Sequence, residues 1–376
     1  MSDRKIHIIS FDIPYPPNYG GVIDVYYKIR ELRKTGIGIY LHCFEYPGRE
    51  RKEELNELCE RVWYYPRRIG MRAAFHLKPY IVYTRKSDEL ICNLISDESP
   101  ILFEGLHSCY YLNHPLLKNR FKIYRESNIE HHYYLNLGLS SRKPMSKAFY
   151  LAESIKLRLY QRILNHASLM LVVSQEDVAY LKKRFPGKQI EYLPSFHGNN
   201  EVTTKPGKGK YVLYHGNLEV PENERAALYL LRNVVTKSDH MFRIAGMNPT
   251  KRLIRAASQI NNAEVYPNPD NQEMNVLIRE AQVNLLITFQ ATGLKLKLIN
   301  ALFNGRHCIV NDKMINGIDL AEACSVANNP SKILSDIRDL MGTPFLNKEI
   351  SEREKTLEPF RDEKNSRNLV ELVFPV

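Results

Sequence analysis

The chain has 376 residues, 44% hydrophobic and 25% charged, with 53 Lys+Arg against 42 Asp+Glu, a formal net charge of +11. That length holds two domains, each with its own core, and the composition is that of a globular protein. No apolar run reaches the length of a transmembrane helix, and the six cysteines contain no CxxC pair, which excludes a disulfide framework or a zinc site.

Met1-Ser2-Asp3-Arg4-Lys5 runs straight into a strand, Ile6–Phe11, without a signal-peptide core, so a cytoplasmic location is expected. A turn-rich loop, 12–21, ends in Gly20-Gly21. A helix follows from about Val22 to Thr35, with Val22, Val25, Ile29 and Leu32 on one face and Gly36 as its stop. Strands are predicted at Gly38–Phe44, Arg61–Tyr65, Ile101–Phe103, Lys122–Arg125, Leu169–Val173 and Glu191–Leu193, with a long helix over Met145–Asn165. Around 198–209 the chain becomes polar and glycine-rich, the texture of an interdomain linker.

The alternation then restarts. Strands are predicted at Tyr211–His215, Met241–Ala245, Glu264–Pro267 and Val283–Ile287. Helices fill Glu222–Val235, Thr250–Ser258 and Gln272–Ala281, and the tail from Ser351 reads as helical. Strands that alternate with helices imply parallel sheets, whose ligands bind beyond the carboxyl ends of the strands. The expected domains are 1–200 and 201–350, with a charged helical tail over 351–376 that could pack back on the first domain.

The most informative stretch is Thr288–Gly305, where one glycine, Gly293, precedes two lysines, Lys295 and Lys297, at the start of an apolar-periodic helix. A helix start offers unpaired N–H groups and a positive dipole end, and lysines there favour an anionic partner. That pattern predicts a diphosphate site. Lys295 and Lys297 are therefore candidates to stabilise a leaving diphosphate, and both can reach it only if Lys295 still lies in the loop. With no Asp-x-Asp motif on a strand end, no metal is expected; Asp12 reads as a turn cap.

A second polar run, Arg125–Tyr134, follows a predicted strand. Asn128, Glu130 and His131 are candidates to handle a sugar, the alternative being helix capping by Asn128 and surface histidines. His107, after another strand, is a further candidate. A basic stretch over 65–86, with Met71, Phe75, Tyr80 and Tyr83 interleaved, and a second basic stretch over 142–162 suit anionic headgroups.

The order of motifs resembles the GT-B glycosyltransferases, specifically the retaining family-4 type. The anchors are Pro14-x5-Gly20-Gly21, Asn128-Ile129-Glu130, Val172-Val173-Ser174, Leu193-Pro194, Tyr214-His215-Gly216-Asn217-Leu218, Ile244-Ala245-Gly246 and Gly293-x-Lys295-x-Lys297-Leu298-x-Asn300-Ala301-Leu302-x-x-Gly305. The resemblance implies two Rossmann-like parallel-sheet domains facing a central cleft, with the nucleotide sugar on the second. Gly216, Asn217 and Gly246 would lie beside the donor, and Tyr266 to Asn268 would line the base. Backbone around Gly293 and Leu294 would meet the diphosphate, and Gly20-Gly21 would close over it.

The chain departs from that family at four places. Its two glutamates eight positions apart are Thr292 and Asn300 here, so donor sugar and ribose contacts would fall to a hydroxyl and an amide. A histidine often found before the Asn-x-Glu is Ser127, which leaves His131 or His107 as stand-ins. Of an Arg/Lys pair after the Gly216 strand, only Arg225 remains, and Lys295 and Lys297 are the expected compensation. The implied activity is transfer of a sugar from a nucleotide sugar to a glycan or lipid-linked acceptor in cell-surface polysaccharide assembly, with no further cofactor; the basic stretches add an expected peripheral contact with an anionic membrane. The rival readings are a GT-B sugar-nucleotide epimerase, an inactive GT-B binding protein, and a nucleic-acid binder, for which no signature appears.

Overall fold

The computed structural model describes residues 4–46, 48–141, 143–290 and 295–375. The chain forms two compact units, Met1–Phe196 with Asp362–Val376, and His197–Arg361.

Among the described residues, the first unit has seven strands: β1 (Lys5–Ser10), β2 (Gly38–Glu45), β3 (Arg61–Pro66), β4 (Ile101–Glu104), β5 (Lys122–Arg125), β6 (Leu169–Val172) and β7 (Gln189–Tyr192). They pair in parallel in the order β3-β2-β1-β4-β5-β6-β7. Side chains alternate across this sheet, as the strand period requires. Ile9, Phe103, Tyr124 and Met170 enter one core, while Ile8, Leu102, Ile123 and Leu171 enter the other. The second core also takes Val25, Ile29 and Leu32 from helix Gly20–Lys34, the stripe read from the sequence.

The second unit repeats the plan. Among its described residues are β8 (Val212–His215), β9 (Phe242–Gly246), β10 (Ala263–Pro267), β11 (Val283–Leu286), β12 (His307–Val310) and β13 (Ser325–Val326). They too are parallel, in the order β10-β9-β8-β11-β12-β13. In both sheets the winding reverses beside the first strand, between β1 and β4 and between β8 and β11. Open parallel sheets bind their ligands at such reversals, beyond the strand ends.

Two expectations need correction. The helix predicted over Met145–Asn165 runs from Pro144 to Tyr160 and tightens into a 3-10 turn over Gln161–His166. The tail is helical, as expected, and comes in pieces: Asn347–Leu357, a 3-10 turn Glu358–Phe360, and Asp362–Val373. Pro359 breaks it, because proline lacks the N–H and crowds the preceding turn. The segment expected as a linker is tied down in the second unit. The Thr203 amide donates to the Phe303 carbonyl at 2.8 Å and the Thr204 hydroxyl to Gly305 O at 2.8 Å.

Candidate functional site

In the second unit the site is built at the ends of β8, β9 and β11. Gly246, the last residue of β9, lies against the peptide after β8. A Cβ there would fall 1.7 Å from the Gly216 carbonyl oxygen, so only glycine fits without moving the backbone. Pro221 starts the next helix, Pro221–Asn233, at its first position, where a missing N–H costs nothing. This places Glu222 and Asn223 in the first turn. The Asn223 amide donates to the Asn217 carbonyl at 2.9 Å and accepts from Lys297 Nζ at 3.2 Å.

Lys297 is half-buried, with its ammonium 5.4 Å from the Tyr214 ring centroid. Burial lowers its pKa to about 8, against the pull of Glu222. Beneath it His215 is buried, and burial, with the Lys297 charge, drives its pKa to about 3. His215 is thus a neutral ring at physiological pH. Glu222 holds the loop after β11: its Oε1 accepts from the Thr288 hydroxyl at 2.7 Å, the Gln290 amide at 3.2 Å, and the Phe289 amide. Arg225 stacks over the Phe289 ring at 4.3 Å.

The two lysines part company. Helix Leu296–Asn304 begins after Lys295, which occupies the N-cap position. Lys295 Nζ donates to the Lys313 carbonyl at 3.3 Å, whereas Lys297 reaches Asn223. Thr292, Gly293 and Leu294 lie outside the described residues. Asn300 joins an amide cluster, its oxygen accepting from Asn199 at 3.3 Å and from Asn304 at 2.8 Å. At the end of β10, Tyr266 donates to Glu264 at 2.8 Å, and Asn268 has φ 53, with its amide on the Gly246 carbonyl at 2.9 Å. Gly216, Asn217, Gly246, Asn268 and Lys297 are therefore brought to one edge of one sheet.

In the first unit the corresponding edge carries different chemistry. Gly20 and Gly21 open helix Gly20–Lys34, and a Cβ on Gly21 would press 2.4 Å from Phe11 Cζ. Asp12 caps its turn, accepting from the Ile13 amide at 2.8 Å and the Tyr19 hydroxyl at 2.6 Å. Gly105, with φ +68, turns the chain after β4 so that His107 Nδ1 lies 3.7 Å from Glu130 Oε1, too far for a hydrogen bond. Burial raises Glu130 to about 8, partly offset by Arg85. Burial, reinforced by Arg85 and Arg67, holds His107 well below its ordinary value. The pair is a neutral imidazole beside a carboxyl that keeps its proton near neutrality.

His131 does not join this pair. Its neighbours are His132 at 4.2 Å and the Tyr180 ring at 6.0 Å, because successive helix positions diverge by about 100°. Burial lowers it to about 4. Asn128 is not the cap of helix Glu130–Ser140; Ile129 holds that position, with no side-chain cap bond.

Beneath this edge is a buried ionic network. Lys28 bridges Asp24 at 3.0 Å and Glu104 at 2.6 Å, while Arg125 reaches Asp24 at 3.2 Å and the carbonyls of Leu193 and Pro194 at 2.6 and 2.9 Å. Burial opposes ionisation of Asp24, but Arg125 and Lys28 overcome it and hold the carboxyl below its usual range. The network fixes the first helix to the ends of β4 and β5.

Sequence reasoning missed Tyr214, His215, Glu222 and Asn223 as parts of the site. Pro221 was a usable signal for the last two, since it marks where the helix starts. The pairing of His107 with Glu130 had no signal in the sequence.

No family model matches the chain. Over 329 residues it is 25% identical to an uncharacterized 44.6 kDa protein in the cps region of Klebsiella pneumoniae, covering 80% of this chain and 81% of that protein. Among solved structures it is similar to Anabaena HepE in complex with UDP and glucose (TM-score 0.68, 10% identity, 99% of this chain and 100% of that one). It is also similar to a glycosyltransferase from Rickettsia africae (TM-score 0.67, 12% identity, 99% and 98%). A third is WaaG, a glycosyltransferase involved in lipopolysaccharide biosynthesis (TM-score 0.67, 8% identity, 99% and 100%). With its two parallel-sheet Rossmann-like units, the chain has the GT-B fold.

Proposed function

We propose that this chain is a glycosyltransferase that moves a sugar from a nucleotide sugar to a glycan or lipid-linked acceptor, with retention, in polysaccharide assembly. The observation that carries the proposal is Lys297. It is a half-buried ammonium held by Asn223 at the end of β8, beside the glycine pair Gly216 and Gly246. Burial makes that cation costly until an anion arrives, and a diphosphate supplies one.

In this reading the backbone at Gly216 and Gly246 admits the nucleotide, and Tyr266 and Asn268 edge the base. Asn300 stands in for the ribose-binding glutamate. Thr292 serves the donor sugar, and the backbone at Gly293 and Leu294 serves the diphosphate. As the glycosidic bond breaks, negative charge grows on the leaving oxygen and Lys297 stabilises it, with Lys295 as a second cation, so that no metal is called on. On the first unit, the Gly20-Gly21 loop serves the donor, while His107 and Glu130 offer a neutral acceptor and a proton donor for a sugar hydroxyl; Asn128 and His131 are further contacts on that side. One observation favours an inactive binding relative instead: the Asn300 oxygen is already engaged by Asn199 and Asn304.

Thermal unfolding with UDP, GDP and CDP sugars tests the proposal. One nucleotide series should stabilise the chain by about 2–3 kcal/mol at a hundredfold excess over Kd. No stabilisation with any donor refutes it. Donor binding with no release of nucleoside diphosphate, with or without acceptor, selects the inactive relative.

A further inference from the structure

Helix Pro144–Tyr160 buries Glu153, Ser154 and Leu157 on one side. Its outer side carries Met145, Ala148, Ala152, Ile155 and Leu159, all exposed. At about 100° per residue these five fall within an arc of about 80°. An apolar stripe on the solvent side of a helix that already has a buried side is unusual. Here the exposure is extreme: Met145 is 87% exposed, Ile155 64% and Leu159 58%.

The stripe is continued by a second segment. Lys156 Nζ donates to the carbonyls of Ala74 and His76 at 3.1 and 3.2 Å, seating residues 74–76 on this helix. The Tyr80 amide donates to Glu153 Oε2 at 2.6 Å and pins the following turn. The anchored segment presents Met71, Phe75 and Leu77 at 78%, 82% and 93% exposure. Two apolar surfaces, fastened together by named bonds, thus face solvent.

Charge identifies the occupant. Residues 65–86 contain no acidic side chain, and 130–162 contain two, Glu130 and Glu153, both buried. Arg68, Arg72, Lys143, Lys147, Arg158 and Arg162 are exposed around the apolar side chains. An apolar strip with a wholly cationic border suits the interface of an anionic bilayer, where apolar groups enter below the headgroups and lysine or arginine stays among the phosphates. No helix among the described residues is long and apolar enough to cross a membrane.

We infer that this face of the first unit, helix Pro144–Tyr160 together with segment 69–78, docks the protein on an anionic lipid surface by inserting Phe75, Leu77, Ile155 and Leu159. The inference stands apart from the donor site, because vesicle binding needs no nucleotide; each can fail alone.

The test is co-sedimentation of the full chain with phosphatidylcholine vesicles, with and without about 30% phosphatidylglycerol. Binding is expected only with the anionic lipid and should fall as salt rises toward about 1 M, where the Debye length is near 3 Å. Phe75→Ser with Leu77→Ser, and separately Ile155→Ser with Leu159→Ser, should each weaken binding about tenfold or more. Lys147→Ala and Arg158→Ala should each cost about fivefold. The melting temperature of each variant should match the wild type, since exposed sites contribute little to folding. Equal binding to both vesicle types, unchanged binding of the serine variants, or their unfolding overturns the inference. So does a dimer in sedimentation velocity that the serine substitutions disperse, which would make the face a contact between copies.

Discussion

Single side chains carry the sharpest consequences. Lys297→Ala should lower donor affinity about 10-fold to 150-fold, the worth of a hydrogen bond to a charged group, and leave the melting temperature nearly unchanged; calorimetric titration checks the first and thermal unfolding the second. Equal donor affinity in the variant would remove its role. Asp24→Ala should cost about 3–5 kcal/mol in urea denaturation, because it strands Lys28 and Arg125 in a buried setting. Glu130 makes stability depend on pH. Its folded pKa, about 8, lies above the ordinary 4.5, so between these values the native state holds a proton that the unfolded state has lost. Stability contributed by Glu130 is therefore full below pH 4.5 and is lost as pH rises toward about 8. The slope is at most about 1.4 kcal/mol per pH unit. Glu130→Gln should flatten that decline in denaturation series across pH. A variant with the wild-type slope would show that another group is responsible.

At the scale of elements, the decisive feature is how closely strand ends approach one another. Gly246→Ala would drive a Cβ into the Gly216 carbonyl, a backbone atom that cannot swing aside as a side chain can. We expect a loss of about 1–3 kcal/mol and weaker donor binding together, read by thermal unfolding with and without nucleotide. Loss of one without the other would mean that the two strand ends do not share a site. Strands and most helices were legible because their periods are strong, as in the buried stripe of helix Gly20–Lys34. The break at Pro359 in the tail was also legible in principle, since proline rarely continues a helix. The tightening of the long helix after Tyr160 was not, because the apolar spacing continues through Ile163 and Leu164.

On the scale of the whole chain, the tail returns to the first unit. Helix Asp362–Val373 buries Leu369 and Val373 in the same core as Val25, Ile29 and Leu32. Leu369→Ala should therefore destabilise the first unit by about 2–5 kcal/mol, seen as earlier proteolysis within residues 1–196 than within 197–361. Equal protection of both units in the variant would contradict that packing.

The alternation of strand and helix and the restart after residue 209 were fixed by local sequence, because backbone period acts over a few residues. Which polar groups meet was settled by the tertiary structure alone. Lys297 finds Asn223 across 74 positions and His107 finds Glu130 across 23, through strand order that no local pattern encodes. The same is true of the exposed strip on helix Pro144–Tyr160. Its apolar residues sit at helical spacing like any core stripe, and only packing of the opposite side shows that they were left outside.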